Sequence, residues 1–289
     1  MRKRKFLSFV LSLMVLLSCF GACQSDSFEL NFMSFNVKIP GGSGVQTWGS
    51  RKDAVMDLIN NSKADIIGLQ ECSMTPYQDI TMELAENYTF VYFSRSSENL
   101  AIIYDRTVFN YVSKEMYWLS DTPDEVSSGW DNTHYRAAAI LTLEHKETGE
   151  TIRAINTHGA LNDEGNVKGF NLIAERSLSN DNDPVTVMCG DFNATPNKLG
   201  YVPIAEKLQD CRLTAKQSPN RDRNTWNNFG KETKGILDYC FVSKGDNVEV
   251  LTYQVRDDKF GENNDLYISD HFAVQATVRI RKTANNSAA

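Results

Sequence analysis

The sequence predicts an α/β protein built as a sandwich of two β-sheets with helices outside. Three observations point there. Roughly ten short apolar or alternating runs recur along the chain, and three or four segments between them carry apolar residues at helical spacing. Neither a repeat nor a Pro-, Gly- or Ser-rich linker divides the 289 residues, so one domain over residues 29–280 is the economical reading.

Leu30, Phe32 and Ser34 alternate with Asn31, Met33 and Phe35, which predicts a strand ending near Asn36 and Val37. Gly41, Gly42 and Gly44 break the chain after it. Val55, Met56, Leu58 and Ile59 form one apolar face of a helix over residues 51–62. Residues 65–69 read as a short buried strand with Glu71 beyond its end, and Met82, Leu84 and Ala85 support a helix over 76–86. Strands are expected at 90–93, 100–104, 108–112, 136–143 and 151–156. After a loop at 158–165, Val167, Phe170, Ala174 and Ser177 step along one helix face. A buried strand at 185–189 breaks at Gly190, and strands at 236–242, 247–255 and 272–280 complete the count.

Aromatic residues make up 10% of the chain, enough for a large core, which excludes a disordered protein. Thirty basic against 37 acidic residues give a net charge of −7. Residues 1–23 hold four of the basic residues and no acidic one, so the remainder carries −11. Sequence-independent affinity for nucleic acid comes from Lys and Arg displacing counterions. The charge therefore argues against a DNA coat or scaffold, while leaving room for an enzyme with a local cationic site.

Residues 1–23 read as a signal peptide. Arg2, Lys3, Arg4 and Lys5 form its basic start, and residues 6–17 its apolar run. As a helix that run spans about 18 Å, short of the ~30 Å of a bilayer core. Leu16-Leu17-Ser18-Cys19 resembles a bacterial lipobox, and Gly21-Ala22-Cys23 is a second candidate. Lipid attachment at Cys19 or Cys23 is the expectation, with cleavage and plain secretion as the alternative. Residues 24–28 then form a tether, and 281–289 a polar tail. Cys72, Cys189, Cys211 and Cys240 remain, without CxxC spacing. An oxidising compartment would permit two bridges among them, but Cys189 and Cys240 lie inside apolar strands, and a chain of this size needs no disulfide framework. All four are read as structural.

Polar residues recur where apolar strands end: Asn36, Glu71, His158, Asp191 with Asn193, Asp238, and Asp270 with His271. One such residue is a cap or a turn former. Six sites carrying only Asn, Asp, Glu or His are harder to dismiss. Hard oxygen donors without a dense His/Cys set point to Mg²⁺, Mn²⁺ or Ca²⁺ rather than structural zinc. Neither HExxH nor GxSxG is present.

The segments Ser34-Phe35-Asn36, Leu69-Gln70-Glu71, Asn156-Thr157-His158, Gly190-Asp191-Phe192-Asn193, Leu237-Asp238-Tyr239 and Ser269-Asp270-His271-Phe272 follow one another in a characteristic order. The chain thereby resembles the endonuclease/exonuclease/phosphatase superfamily, the deoxyribonuclease I-like proteins, over residues 29–280. The stretch Tyr117-Trp118-Leu119-Ser120-Asp121-Thr122-Pro123, with Gly129, Trp130 and Arg136, is similar to the small secreted bacterial branch.

The resemblance implies a four-layer α/β/β/α sandwich of two mixed sheets and a metal-dependent hydrolase of phosphoester bonds. It implies Asn36 and Glu71 as ligands of Mg²⁺ (or Mn²⁺), with Asp270 as a further ligand or a carboxylate beside them. His158 would contact the scissile phosphate and Arg136 would steady it. Asp191 would position or deprotonate the attacking water, and Asn193 would bond phosphoryl oxygens. Asp238 would orient His271 as general acid/base. Elementary chemistry agrees: a divalent cation neutralises developing oxyanion charge, and a carboxylate partner fixes a histidine's tautomer.

Gly159 and Ala160 stand where many relatives carry a leucine after the histidine, which leaves substrate class open, and Leu237 replaces a usual isoleucine. Nuclease, sphingomyelinase-like and sugar or inositol phosphate phosphatase remain the alternatives. The charge favours a small molecule or lipid head group over long nucleic acid. A monomer acting outside the cytoplasm is expected; the competing reading is a non-catalytic surface lipoprotein that keeps the fold. His145, in a polar turn between Glu144 and Glu147, is expected to be solvated, and Trp226 to lie in the core or at a groove rim.

Overall fold

A computed structural model describes residues 26–95, 98–130, 133–178 and 184–282. The signal peptide with Cys19 and Cys23, the first part of the tether and the end of the polar tail lie outside the described residues. The strands are β1 (Ser27–Asn36), β2 (Ile66–Gln70), β3 (Tyr88–Arg95), β4 (Glu98–Asp105), β5 (Phe109–Trp118), β6 (Ala137–His145) and β7 (Thr151–His158). They continue with β8 (Val185–Asp191), β9 (Leu208–Asp210), β10 (Asp238–Ser243), β11 (Val248–Arg256), β12 (Lys259–Phe260), β13 (Leu266–Tyr267) and β14 (Ala273–Arg281). The helices are α1 (Trp48–Ser62), α2 (Met74–Leu84), α3 (Asp163–Ser177), α4 (Val202–Lys207) and α5 (Cys211–Thr214).

Two six-stranded sheets run in the orders β11-β14-β1-β2-β4-β3 and β5-β6-β7-β8-β10-β9. Each contains one parallel pair, β1 with β2 and β7 with β8. Those are the two connections made through a long helix, α1 and α3, as a parallel crossover requires. The sheets pack face to face on a core that includes Leu30, Phe32, Ile66, Leu100, Ile102, Leu141, Ile152, Val187 and Val242. The outer face of the first sheet takes Val55, Leu58 and Ile59 of α1 against Met33, Phe35 and Ile67. That of the second takes Phe170 and Ile173 of α3 against Ile155 and Met188. Alternation within each strand therefore divides its residues between two cores, and the four-layer α/β/β/α sandwich is the result.

The structure adds to the expected elements where periodicity is too short to show. β9, β12, β13, α4 and α5 each span six residues or fewer. β5 runs well past residue 112 because a register shift between Tyr111 and Ser113 lets pairing with β6 continue. His145 is a correction: it is buried, stacked on Phe28 with ring centroids 3.8 Å apart, and its Nδ1 lies 2.9 Å from the Thr148 hydroxyl. It is still part of β6 and shares the inward parity of Leu141 and Leu143; the exposed turn begins one residue later. The four cysteines are free and buried, with Cys189, Cys211 and Cys240 between the sheets and Cys72 in the helix-covered core. Burial pushes the Cys72, Cys211 and Cys240 thiols up, away from the reactive thiolate.

Candidate active site

Toward one end of the sandwich the inward-facing positions turn from apolar to polar. β1 ends on Asn36 after Leu30, Phe32 and Ser34, β7 on His158 after Ile152, Ala154 and Asn156, and β8 on Asp191 after Val185, Val187 and Cys189. β10, running the other way, starts on Asp238 before Cys240 and Val242. Register completes the assembly: Asp191 pairs with His158 on one side and with Asp238 on the other. Asn156 crosses between the sheets, donating to the carbonyls of Leu69 and Ala101 at 2.8 and 3.0 Å and accepting from Gln70 Nε2 at 2.7 Å. Gly68 makes room for this crossing, since a Cβ there would stand 2.6 Å from Cys189 Cβ and 2.9 Å from Asn156 Oδ1.

One oxygen gathers the donors. Asp191 Oδ2 accepts from Asn36 Nδ2 at 3.0 Å and lies 3.5 Å from both His158 Nε2 and His271 Nε2. Asp191 Oδ1 accepts from the backbone N–H of Asn193 at 2.9 Å. On its far side His271 donates from Nδ1 to Asp238 Oδ2 at 2.9 Å, so Asp238, His271 and Asp191 form a line. All three are buried. Burial would lower the His271 pKa, but Asp238 and then Asp191 outweigh it and raise it to about 10, which makes the imidazolium the resident form. Burial, together with Asp238, lifts the Asp191 carboxyl to about 6 against the opposing pull of His271.

His158 is in the other state. Arg136 Nη1 stands 3.0 Å from His158 Nδ1, and a guanidinium only donates, so Nδ1 is the acceptor and the ring proton sits on Nε2. Burial first, then Arg136 and His271, hold its pKa well below the usual histidine range. Behind Arg136, at 3.8 Å, lies the buried Glu98, which burial pushes up to about 8. Gly159, the departure noted in the sequence, has a steric cause: a Cβ there would fall 2.2 Å from the Phe192 carbonyl oxygen. Asn193, in the left-handed region at φ 48°, donates from Nδ2 to the Gly159 carbonyl at 3.1 Å.

The oxygen-rich side is built on loops. Glu71 adopts φ 56°; its Oε1 accepts from Asn36 Nδ2 at 3.1 Å and its Oε2 from the Ile39 N–H at 2.8 Å. Ser269 Oγ donates to the Asn36 carbonyl at 2.7 Å, which seats Asp270 beside the end of β1. Lys38, at φ 60°, places its ammonium 3.0 Å from Asp270 Oδ2 and 3.8 Å from Glu71 Oε2. A cation thus already bridges the two carboxylates, and the donors Asn36, Glu71 and Asp270 are all hard oxygens, as Mg²⁺ or Mn²⁺ prefers. Asp191, Asp238 and His271 form a second group whose donor atoms lie within 4.8 Å of one another. The first set fits a divalent cation; in the second the imidazolium of His271 has no lone pair to offer, and Asp238 Oδ2 already accepts from it.

All nine residues singled out in the sequence meet at this end of the molecule. Four neighbours were not singled out. Lys38 faces the site two residues after Asn36. Arg51 is buried in α1 and donates to the carbonyls of Val37, Lys38 and Ile268; it occupies the apolar stripe of Val55 and Leu58, and a charge on that stripe is the signal that marks it. Glu98 shares the parity of Leu100 and Ile102, and Asn156 that of Ile152 and Ala154. Trp226 is half-buried, and its backbone pairs with that of His271.

Fold and site define the class. The chain belongs to the endonuclease/exonuclease/phosphatase family, whose model matches residues 33–271, and members of that family hydrolyse phosphoester bonds. Among solved structures it is similar to an endonuclease/exonuclease/phosphatase family protein from Bacteroides thetaiotaomicron, with 26% identity and a TM-score of 0.81 over 89% of this chain and 100% of that one. It is also similar to a mannosyl-6-phosphatase of Bacteroides thetaiotaomicron, with 27% identity and a TM-score of 0.79 over 86% of this chain and 99% of the other. An uncharacterized protein of Acanthamoeba polyphaga mimivirus is 29% identical over 223 residues, 72% of this chain and 77% of that protein.

Proposed function

We propose that the protein is an exported, divalent-metal-dependent phosphoesterase that hydrolyses small phosphoesters, sugar phosphates foremost. The observation that carries the reading is the line Asp238–His271–Asp191 with Asn36 and His158 converging on one Asp191 oxygen. The similarity to a mannosyl-6-phosphatase and the charge of −11 outside the leader both favour a small substrate over a long polyanion.

The residues divide the work as follows. Asp191 holds the attacking water and accepts its proton, with Asn36 fixing the carboxylate. His158 donates from Nε2 to a phosphoryl oxygen, and Arg136 keeps that tautomer by occupying Nδ1 with a donated hydrogen bond. Asn193 adds a donor without repulsive charge. His271, held cationic by Asp238, gives a proton to the leaving oxygen and is the general acid. Asn36, Glu71 and Asp270 would hold the cation, which when bound neutralises charge developing on the phosphoryl group. An assay panel with added Mg²⁺ or Mn²⁺, set across hexose phosphates, phosphodiesters and choline phosphodiesters, tests the reading. Fastest turnover of a hexose phosphate is expected, and fastest turnover of a nucleic acid overturns the substrate class.

Export with a lipid anchor at Cys19 is part of the same proposal. Cys19→Ser should release the protein from the membrane of an expressing bacterium, as read by fractionation. Release by Cys23→Ser alone moves the anchor to Cys23, and release by neither removes it.

A further inference from the structure

Lys38 is a cation in a place that the proposed function gives to a metal. Its ammonium lies 3.0 Å from Asp270 Oδ2 and 3.8 Å from Glu71 Oε2. Everything else about the residue is fixed. Its backbone N–H donates to Asn36 Oδ1 at 3.0 Å, and its carbonyl accepts from Arg51 Nη2 at 2.6 Å. The preceding carbonyl, of Val37, accepts from Arg51 Nη1, and the following N–H, of Ile39, donates to Glu71 Oε2. Only the four-carbon stem is free to move, and at 36% exposure it has a way out to solvent.

Arg51 adds to the positive field felt by Glu71 and Asp270 but bonds neither carboxylate. Its Nε donates to the Gln46 carbonyl and its other nitrogens to Val37, Lys38 and Ile268. Without the ammonium, Glu71 and Asp270 would face each other across the site with no cation among the described residues bonded to either. With a divalent cation bound to them, the ammonium would be repelled by the double positive charge.

We propose that Lys38 is the site's internal countercation: its ammonium holds Glu71 and Asp270 in place in the ion-free protein and leaves when the divalent cation enters. The proposal rests on the reading of those carboxylates as metal ligands. Binding is then an exchange of one cation for another, so Lys38 sets how much free metal is needed to load the enzyme, while keeping an acidic site from splaying when empty.

Titrating Mn²⁺ into the full mature chain by calorimetry, wild type against Lys38→Met, tests it. Lys38→Met should bind Mn²⁺ about tenfold more tightly, within the usual range of coupling between two sites. In chelator it should melt at a lower temperature than wild type, and saturating Mn²⁺ should close that gap. Equal or weaker Mn²⁺ binding by the variant overturns the proposal while leaving the metal-dependent reading intact. Absence of Mn²⁺ binding to wild type overturns both. A second measurement needs no variant. Acetic anhydride should acetylate Lys38 several-fold faster in saturating Mn²⁺ than in chelator, relative to the exposed Lys168, as read by peptide mass spectrometry. An unchanged ratio overturns the exchange.

Discussion

Asp191 and Asp238 are placed by strand register, whereas Glu71 and Asp270 are placed by loops, and the two sides of the site differ accordingly. On the register side the groups sit opposite one another on β7, β8 and β10, and each is fixed before any ligand arrives. On the loop side Lys38 and Glu71 both adopt positive φ, a conformation that costs non-glycine residues on the order of 1–3 kcal/mol. Hydrogen bonds from Asn36 and Ile39 to Glu71, and from Arg51 to the Lys38 carbonyl, hold the loop there. Rigid placement suits groups that move a proton over a short distance. A loop-borne set of oxygens suits an ion that enters and leaves.

The largest expected effect breaks the loop side alone. Chelator should abolish turnover and added Mg²⁺ or Mn²⁺ restore it, while circular dichroism shows an unchanged fold. Full turnover in excess chelator would sink the division of labour.

Breaking the proton line that the register side anchors, through Asp238 and the His271 bonded to it, comes next. His271→Ala should lower kcat by on the order of 10²-fold or more, the usual scale for loss of a general acid, and Asp238→Asn should come close to it. Because the two act as a unit, the double variant should be little worse than the single ones; full multiplication of the defects would separate them.

A smaller effect sharpens the comparison through pH. His271 has a pKa raised from about 6.5 in the unfolded chain to about 10 in the fold. Its contribution to stability is therefore whole below about pH 6.5 and is lost as pH rises through about 10. In chelator, the stability difference between wild type and His271→Gln should shrink on going from pH 8 to 10, above the Asp191 titration. A difference that widened between pH 8 and 10 would contradict the imidazolium. The smallest change tests the scaffold behind both sides. Gly68→Ala forces a Cβ against Cys189 and Asn156 and should cost about 1–3 kcal/mol in denaturant unfolding, as overpacking does.

The register side was legible in the sequence because strand parity is a local signal. The structure runs β8 through Gly190 to Asp191 and β7 to His158, past the ends expected at 189 and 156, so the parity of Val185 and Val187, and of Ile152 and Ala154, carries on to the two site residues. The loop-side residues Glu71 and Asp270 were legible as polar residues at strand ends, but not their convergence, since nothing local foretells that Ser269 will reach back to the Asn36 carbonyl. Arg51 and Glu98 escaped for the opposite reason. Their positions on an apolar helix stripe and an inward strand face were readable, but a charged residue there is ordinarily taken as the edge of the pattern rather than as part of its interior. Lys38 escaped because its side chain owes its placement to a backbone turn that only the assembled fold supplies. His145 was misplaced because β6 runs two residues past the expected end at 143.

The four free thiols have a practical consequence. Cys189, Cys211 and Cys240 lie between the sheets, while Cys72 lies under the helices on the loop side, and none is exposed in the native state. A thiol reagent can therefore modify them only during an excursion that uncovers them, so their labelling rates are clocks for two different openings of the molecule. Three clocks run with the parting of the sheets; the fourth runs with the lifting of α1 and α2 from the first sheet. Burial would also keep these thiols unreacted in an oxidising medium, without an enzyme to keep them reduced.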